Sequence, residues 1–171
     1  DERVWSLFEI GLNHEQQHQE LLLMDILSIY AANPLKPNYI SAAATESTAQ
    51  KPMEADWVEV EGGIKEVGHL EQSSEFAYDN EKPSHKVWVE DFSLQNRCVT
   101  NGEYLEFIED SGYKRFDFWL ENAWEMVKAQ KWKAPLYWEE KDNSWWVMSL
   151  RGFQPLDLSA PVCNVSFFEA L

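Results

Sequence analysis

The sequence predicts an α+β protein in two parts: one long amphipathic helix, then a domain that mixes short strands with capped helices. Three observations carry that prediction. Apolar residues recur at helical spacing from Val4 to about Tyr30. From Trp57 onward the pattern changes to short alternating runs such as Trp57-Val58-Glu59-Val60. Two capping boxes, Thr100 with Glu103 and Ser166 with Glu169, mark helix starts inside that second part.

Taken in order, the first helix carries Leu7, Gly11, His14, His18, Leu21 and Asp25 on one stripe, expected to face inward. Asn33-Pro34 ends it, because proline disfavours helix in the residue before it. A lone helix of this length cannot bury its stripe, so it requires partner helices. Residues 41–56 are small, polar and aperiodic, and read as a linker. Beyond it, Trp57–Val60 reads as a strand, Gly62-Gly63 as a turn and Ile64–Val67 as the return strand; His85–Val89 is a further strand. Thr100 starts a helix that carries Tyr104, Phe107 and Ile108, and Gly112 is its expected stop. A second helical stretch runs from about Phe118 to Gln130. Residues 135–139 and 144–149 form a hairpin around Lys141-Asp142-Asn143. Helical pattern is present at both ends, so the chain is expected to be an internal piece of a longer protein.

Composition narrows the function. Among 171 residues, 14 Lys and Arg face 30 Asp and Glu, a net charge of −16. That balance argues against non-specific nucleic-acid or anionic-membrane binding, both of which rest on clustered basic residues. With 44% hydrophobic residues, among them 9 Trp, 9 Phe and 6 Tyr, the chain has ample apolar area for a core, so general disorder is excluded. Only Cys98 and Cys163 are present, without a C-x-x-C pair; neither a disulfide framework nor a cysteine zinc site is indicated, and a reducing cytoplasm is the expected setting. No apolar run approaches a membrane span, and no basic segment followed by an apolar stretch opens the chain.

The strongest chemical signal is His14-Glu15-Gln16-Gln17-His18. The two histidines, at i and i+4, lie about 40° apart on one helix face and can reach a common point. Neutral imidazole suits iron, zinc, copper or nickel, and the plainer alternative is a pair of structural histidines. An inward face carrying two imidazoles and Asp25 needs something to satisfy them. The same residues also read as H-E-x-x-H, the zinc-peptidase motif with Glu15 as base, although no metzincin extension follows. Glu20 points well away from both histidines and is expected to take a salt-bridge or supporting role.

Other residues read as structural. His69 lies in a turn and His85 opens a strand, both expected to be solvated or hydrogen-bonded. The acidic turn Phe76–Pro83 admits calcium but offers few oxygen ligands, so a hydrogen-bonded loop is expected. Trp119, Trp124, Trp132, Trp138, Trp145 and Trp146 could form a carbohydrate or nucleobase platform; their spacing favours core packing. Both cysteines read as structural.

Several blocks then coincide with a known family. GLNHEQQHQELLLMDI over 11–26, NPLKPNY over 33–39, FAYDNEKP over 76–83, VTNGEY over 99–104, Gly112-Tyr113, APLYW over 134–138 and PVCNVSFFEA over 161–170 resemble the sulfoxide synthases of ergothioneine biosynthesis. Those enzymes join a DinB-like four-helix domain to a domain resembling the formylglycine-generating enzyme, with a C-type-lectin-like fold. The resemblance implies that residues 1–40 end the helical domain, 41–56 link, and 57–171 begin the second domain. It implies a non-haem Fe(II) held by three histidines, His14 and His18 being two, with Gln17 approaching the substrate imidazole. The implied reaction couples a thiol, cysteine or γ-glutamylcysteine, to hercynine with O₂, giving a sulfoxide. The third ligand and the catalytic tyrosine are implied to come from sequence outside this chain, which is therefore expected to be inactive by itself and to hold iron weakly. Asn164 stands where relatives often carry histidine. An ovothiol-type enzyme acting on histidine, an H-E-x-x-H zinc peptidase and a non-catalytic lectin-like module are the alternatives. Exposed apolar surface is expected to favour a homodimer.

Overall fold

The computed structural model describes residues 2–41, 54–70, 73 and 75–171. Most of the predicted linker, residues 42–53, lies outside the described residues. The chain divides into two compact units, Asp1–Leu22 with Ala55–Arg97, and Leu23–Glu54 with Cys98–Leu171.

Helix α1 (Glu2–Ala32) extends a little beyond the expected limits at both ends. Its expected inward stripe is exposed: Leu7 is 69% and Leu21 54% accessible, and His14 and His18 are exposed as well. The periodicity was legible locally, whereas burial depends on partner surfaces that the described residues do not bring to this face. Asn33 closes the helix, its side chain accepting from the Leu35 amide at 2.9 Å.

The first unit also holds four strands. β1 (Trp57–Val60) pairs antiparallel with β4 (Phe92–Gln95), and β2 (Gly63–Val67) with β3 (His85–Val89). The expected return from β1 into β2 is therefore corrected: these two run on in one direction. Val60 opposes Phe92 and Gly63 opposes Val89, three positions further on both chains, so both ladders share one register. They form a single long hairpin interrupted once. At the interruption the Gly62 amide donates to the Asp91 carboxylate at 2.7 Å. A Cβ on Gly62 would collide with the backbone of residues 89–91, so the close approach requires glycine there.

The second unit contains α2 (Asn101–Glu109), α3 (Glu121–Gln130), β5 (Trp138–Lys141), β6 (Ser144–Ser149), β7 (Gly152–Pro155) and the one-turn α4 (Phe167–Ala170). Both capping boxes form: Thr100 Oγ1 accepts from the Glu103 amide at 3.3 Å, and Ser166 Oγ from that of Glu169 at 3.3 Å. α3 begins three residues later than expected, because Phe116–Phe118 forms a 3-10 turn first. The left-handed residue after α2 is Ser111 (φ 67°) rather than Gly112. Glycine is needed at 112 for space instead, since a Cβ there would overlap the Phe107 ring.

Asp142 and Asn143, at φ 52° and 57°, make the tight turn between β5 and β6, where positive φ is the hairpin requirement. β7 was not expected from sequence; it pairs along β6 and places Phe153 against Trp146, ring centroids 5.3 Å apart. The segment after α1 is tied to this sheet: the Tyr39 and Ile40 amides both donate to the Leu150 carbonyl, at 2.8 and 2.9 Å, and Lys36 pairs with Glu139. The core is Tyr104, Tyr113, Trp119, Ala123 and Val127, with Phe107 and Phe168 packed against it. Trp119 is satisfied inside it, its indole donating to the Gly112 carbonyl at 2.9 Å.

Candidate functional site

The helical register of α1 sets the first candidate. His14 and His18 stand one turn apart with ring centroids at 4.5 Å and planes at 70°. Both are exposed, and neither imidazole makes a hydrogen bond among the described residues. Their lone pairs are therefore uncommitted. Gln17 is the preceding neighbour of His18 and is also exposed, with an amide that can both donate and accept. Among the described residues no group of three or more His, Cys, Asp or Glu converges as a metal site. The donor set thus fits two positions of a metal's coordination sphere, and neither Glu15 nor Glu20 joins it. Beside the pair, Val4, Leu7, Phe8, Gly11 and Leu12 line an entirely apolar groove of about 350 Å³. A Cβ at Gly11 would meet nothing within 4 Å, so the groove floor is open.

The remaining histidines lie elsewhere in the first unit. His69 is held through its backbone, donating to the Glu81 carbonyl at 2.8 Å and accepting from the Ser84 amide at 3.1 Å. Its ring departs from expectation: both nitrogens are buried without a hydrogen-bond partner, as is the Tyr78 hydroxyl. His85 Nδ1 lies 3.0 Å from the Pro83 carbonyl. In the acidic turn the Glu81 carboxylate accepts from the Tyr78 amide at 2.7 Å and Asp79 from the Asn80 amide at 3.0 Å. These carboxylates are spent on backbone donors, as the hydrogen-bonded reading expected.

Two features of the second unit went unread in the sequence. The first is a buried relay. The Tyr113 hydroxyl donates to Glu169 Oε1, the Tyr104 hydroxyl lies 3.2 Å from that of Tyr113, and the other oxygen of Glu169 accepts from the Ser166 amide at 2.7 Å. Burial above all, with the charge of Glu169 adding to it, pushes Tyr104 up to about 12, against a smaller opposing effect of the Tyr113 hydrogen bond. Burial and hydrogen bonding to Glu169 raise Tyr113 as well. The relay joins α2 to α4. No local pattern marks it, because 56 residues separate Tyr113 from Glu169.

The second is a cavity of about 480 Å³ walled by Tyr113, Trp124, Trp132 and Trp145 and ringed by lysines. The core-packing reading holds for Trp119 and Trp138, which are buried, and Trp124 and Trp132 pack half-buried against the core; with the half-buried Trp145 they also line the cavity. The clustering of Lys128, Lys131 and Lys133 in an acidic chain was its signal in the sequence. Neither Cys98 nor Cys163 is in a disulfide, and both are exposed. No helix among the described residues is long and apolar enough to cross a membrane.

The described residues mix helices with antiparallel sheets, and residues 42–171 match the sulfatase-modifying factor enzyme 1-like domain. The chain belongs to that family. Among curated proteins it is similar to hercynine oxygenase of Mycobacterium tuberculosis, 29% identical over 165 residues, which is 96% of this chain and 37% of that protein. Hercynine oxygenase of Mycolicibacterium smegmatis is 28% identical over 95% of the chain and 36% of its own length. Ergothioneine biosynthesis protein 1 of Schizosaccharomyces pombe is 29% identical over 71% of the chain and 14% of its own length. The chain thus spans little more than a third of the hercynine oxygenases it matches.

Proposed function

We propose that this chain is part of a non-haem Fe(II)- and O₂-dependent sulfoxide synthase. It would join a cysteine-type thiol, cysteine or γ-glutamylcysteine, to the imidazole of hercynine in ergothioneine biosynthesis. One observation carries the reading. The similarity to hercynine oxygenase covers 165 residues, so it runs beyond the family domain at 42–171 and takes in most of the segment that forms the His14–His18 helix. In this reading residues 1–40 close a DinB-like helical bundle and the protein is cytoplasmic.

His14 and His18 would hold the metal as two of three ligands. When bound, Fe(II) supplies redox chemistry and open positions for O₂ and the thiol. The chain's own part is orientation. The two imidazoles are uncommitted and one turn apart, and the Gln17 amide beside them can hold a substrate ring nitrogen by hydrogen bonding. With two ligands, the 171-residue chain alone is expected to bind iron weakly and not to turn over.

The test is mass-spectrometric detection of the sulfoxide conjugate from hercynine, either thiol, Fe(II) and O₂, using the longer protein that carries this segment. His14→Ala or His18→Ala is expected to lower turnover on the order of 100-fold or more, and Glu15→Gln to leave it within a few-fold. Zinc-dependent peptide cleavage abolished by Glu15→Gln would replace this reading with the H-E-x-x-H peptidase. Turnover of histidine in preference to hercynine would move it to the ovothiol type.

A further inference from the structure

We propose that the cavity between α3 and the β5–β6 hairpin is a binding site for a small aromatic anion, a planar ring bearing a carboxylate or phosphate. No residue of α1 lines it, and the inference is independent of the function proposed above. At about 480 Å³ it is in the range of small-molecule pockets. Trp124, Trp132 and Trp145 offer flat faces for a ring, and the buried Tyr113 lies among the lining residues.

The charge specifies the sign of the ligand. The whole chain has 14 basic residues against 30 acidic ones, yet Lys114, Lys128, Lys131 and Lys133 line this one cavity with Glu140 as the single carboxylate. Lys128 pairs with Glu125 at 2.6 Å and sits over Trp124. The other three have no ion-pair partner among the described residues. Elsewhere Lys36 pairs with Glu139 and Arg115 with Asp117 and Asp110, while lysines such as Lys65 and Lys86 are unpaired among the described residues but are not gathered around one cavity. Lys114, Lys131 and Lys133, exposed and without an ion-pair partner among the described residues, stand around aromatic walls and favour an anion, which a partly desolvated cavity would hold more strongly than open water does.

Backbone conformation points to the same place. Ser111 and Lys131, at φ 67° and 55°, both occupy the left-handed region and both line the cavity. Lys131 stands just after α3, where glycine is the usual residue. Its conformation lets the Trp132 amide close on the Val127 carbonyl at 3.0 Å, turning the chain so that Lys131, Trp132 and Lys133 all border the cavity.

The experiment is calorimetric and tryptophan-fluorescence titration of the full 171-residue chain with two matched pairs of probes. Indole-3-acetate is set against tryptamine, and adenosine monophosphate against adenosine. The anionic member of at least one pair is expected to bind with a Kd below about 1 mM at low salt and at least about tenfold more tightly than its counterpart. The pair that responds tells carboxylate from phosphate. Lys131→Gly removes the ammonium and supplies the residue this backbone prefers, so Tm is expected to hold or rise while affinity falls about fivefold or more. Lys133→Gln is expected to weaken binding similarly with Tm unchanged. No binding of either anion at about 5 mM, equal binding of tryptamine and adenosine, or affinity unchanged in both variants would overturn the proposal.

Discussion

Tyr113 shows how much one side chain can decide in a small core. Its ring packs against Phe107 and Trp119 at 5.8 and 5.3 Å between centroids, while its hydroxyl bonds Glu169. Tyr113→Phe keeps the ring and strands one oxygen of a half-buried carboxylate. We expect a loss of about 1–2 kcal/mol in urea unfolding. The same relay makes stability depend on alkaline pH. Unfolded phenols ionise near their ordinary value of about 10, whereas folded Tyr104 keeps its proton up to about 12. Between these values the unfolded chain holds fewer protons than the folded one, so stability is complete below about pH 10 and declines as the pH climbs toward 12. A Tyr104→Phe variant is expected to lose part of that decline in denaturant titrations at pH 9, 10 and 11, the raised Tyr113 supplying the remainder. An identical slope in wild type and variant would refute the assignment.

At the level of elements, capping is where sequence and structure meet most closely. The Glu103 carboxylate accepts from both the Thr100 amide at 2.8 Å and the Thr100 hydroxyl at 3.0 Å, and that hydroxyl accepts from the Glu103 amide. Thr100 is buried and bridges to Pro161, so the cap also anchors the start of α2 to the far end of the chain. Thr100→Ala is expected to cost about 1 kcal/mol or somewhat more in thermal or urea unfolding, toward the upper end of the range for caps because the site is buried. Strand pairing is less local. The β1, β2 and β3 runs are readable as strands, and their pairing is not, because Trp57 meets Gln95 and Val67 meets His85 across intervening sequence. A two-glycine step between adjacent strands looks like a turn in sequence. Here it is the interruption of one long ladder.

For the whole molecule, the dominant physical fact is the net charge of −16 over 171 residues. Exposed carboxylates repel one another in the folded chain, and salt screens that repulsion over a length of about 10 Å at 0.1 M. Raising NaCl from about 20 to 300 mM is therefore expected to raise Tm by a few degrees. A fall in Tm would show that the few ion pairs, such as Arg115 with Asp117, outweigh the repulsion. The same background makes the four-lysine cavity stand out, since it gathers four of the chain's 14 basic residues.

By itself the sequence determined the features that nearest neighbours control. These are the extent of α1, the i and i+4 placement of His14 and His18, both capping boxes, the Asp142-Asn143 turn and the strands whose side chains alternate. Each rests on interactions within a few residues, which periodicity and cap chemistry record directly. Tertiary structure alone decided what those features face. It left the histidine stripe exposed, joined β1–β2 to β3–β4 in a single register and added β7. It also carried Glu169 back to Tyr113, and gathered Lys114 with Lys128, Lys131 and Lys133 around three tryptophans. Those outcomes depend on contacts between residues far apart in the chain, where the energy lies in burial and pairing that no local pattern encodes.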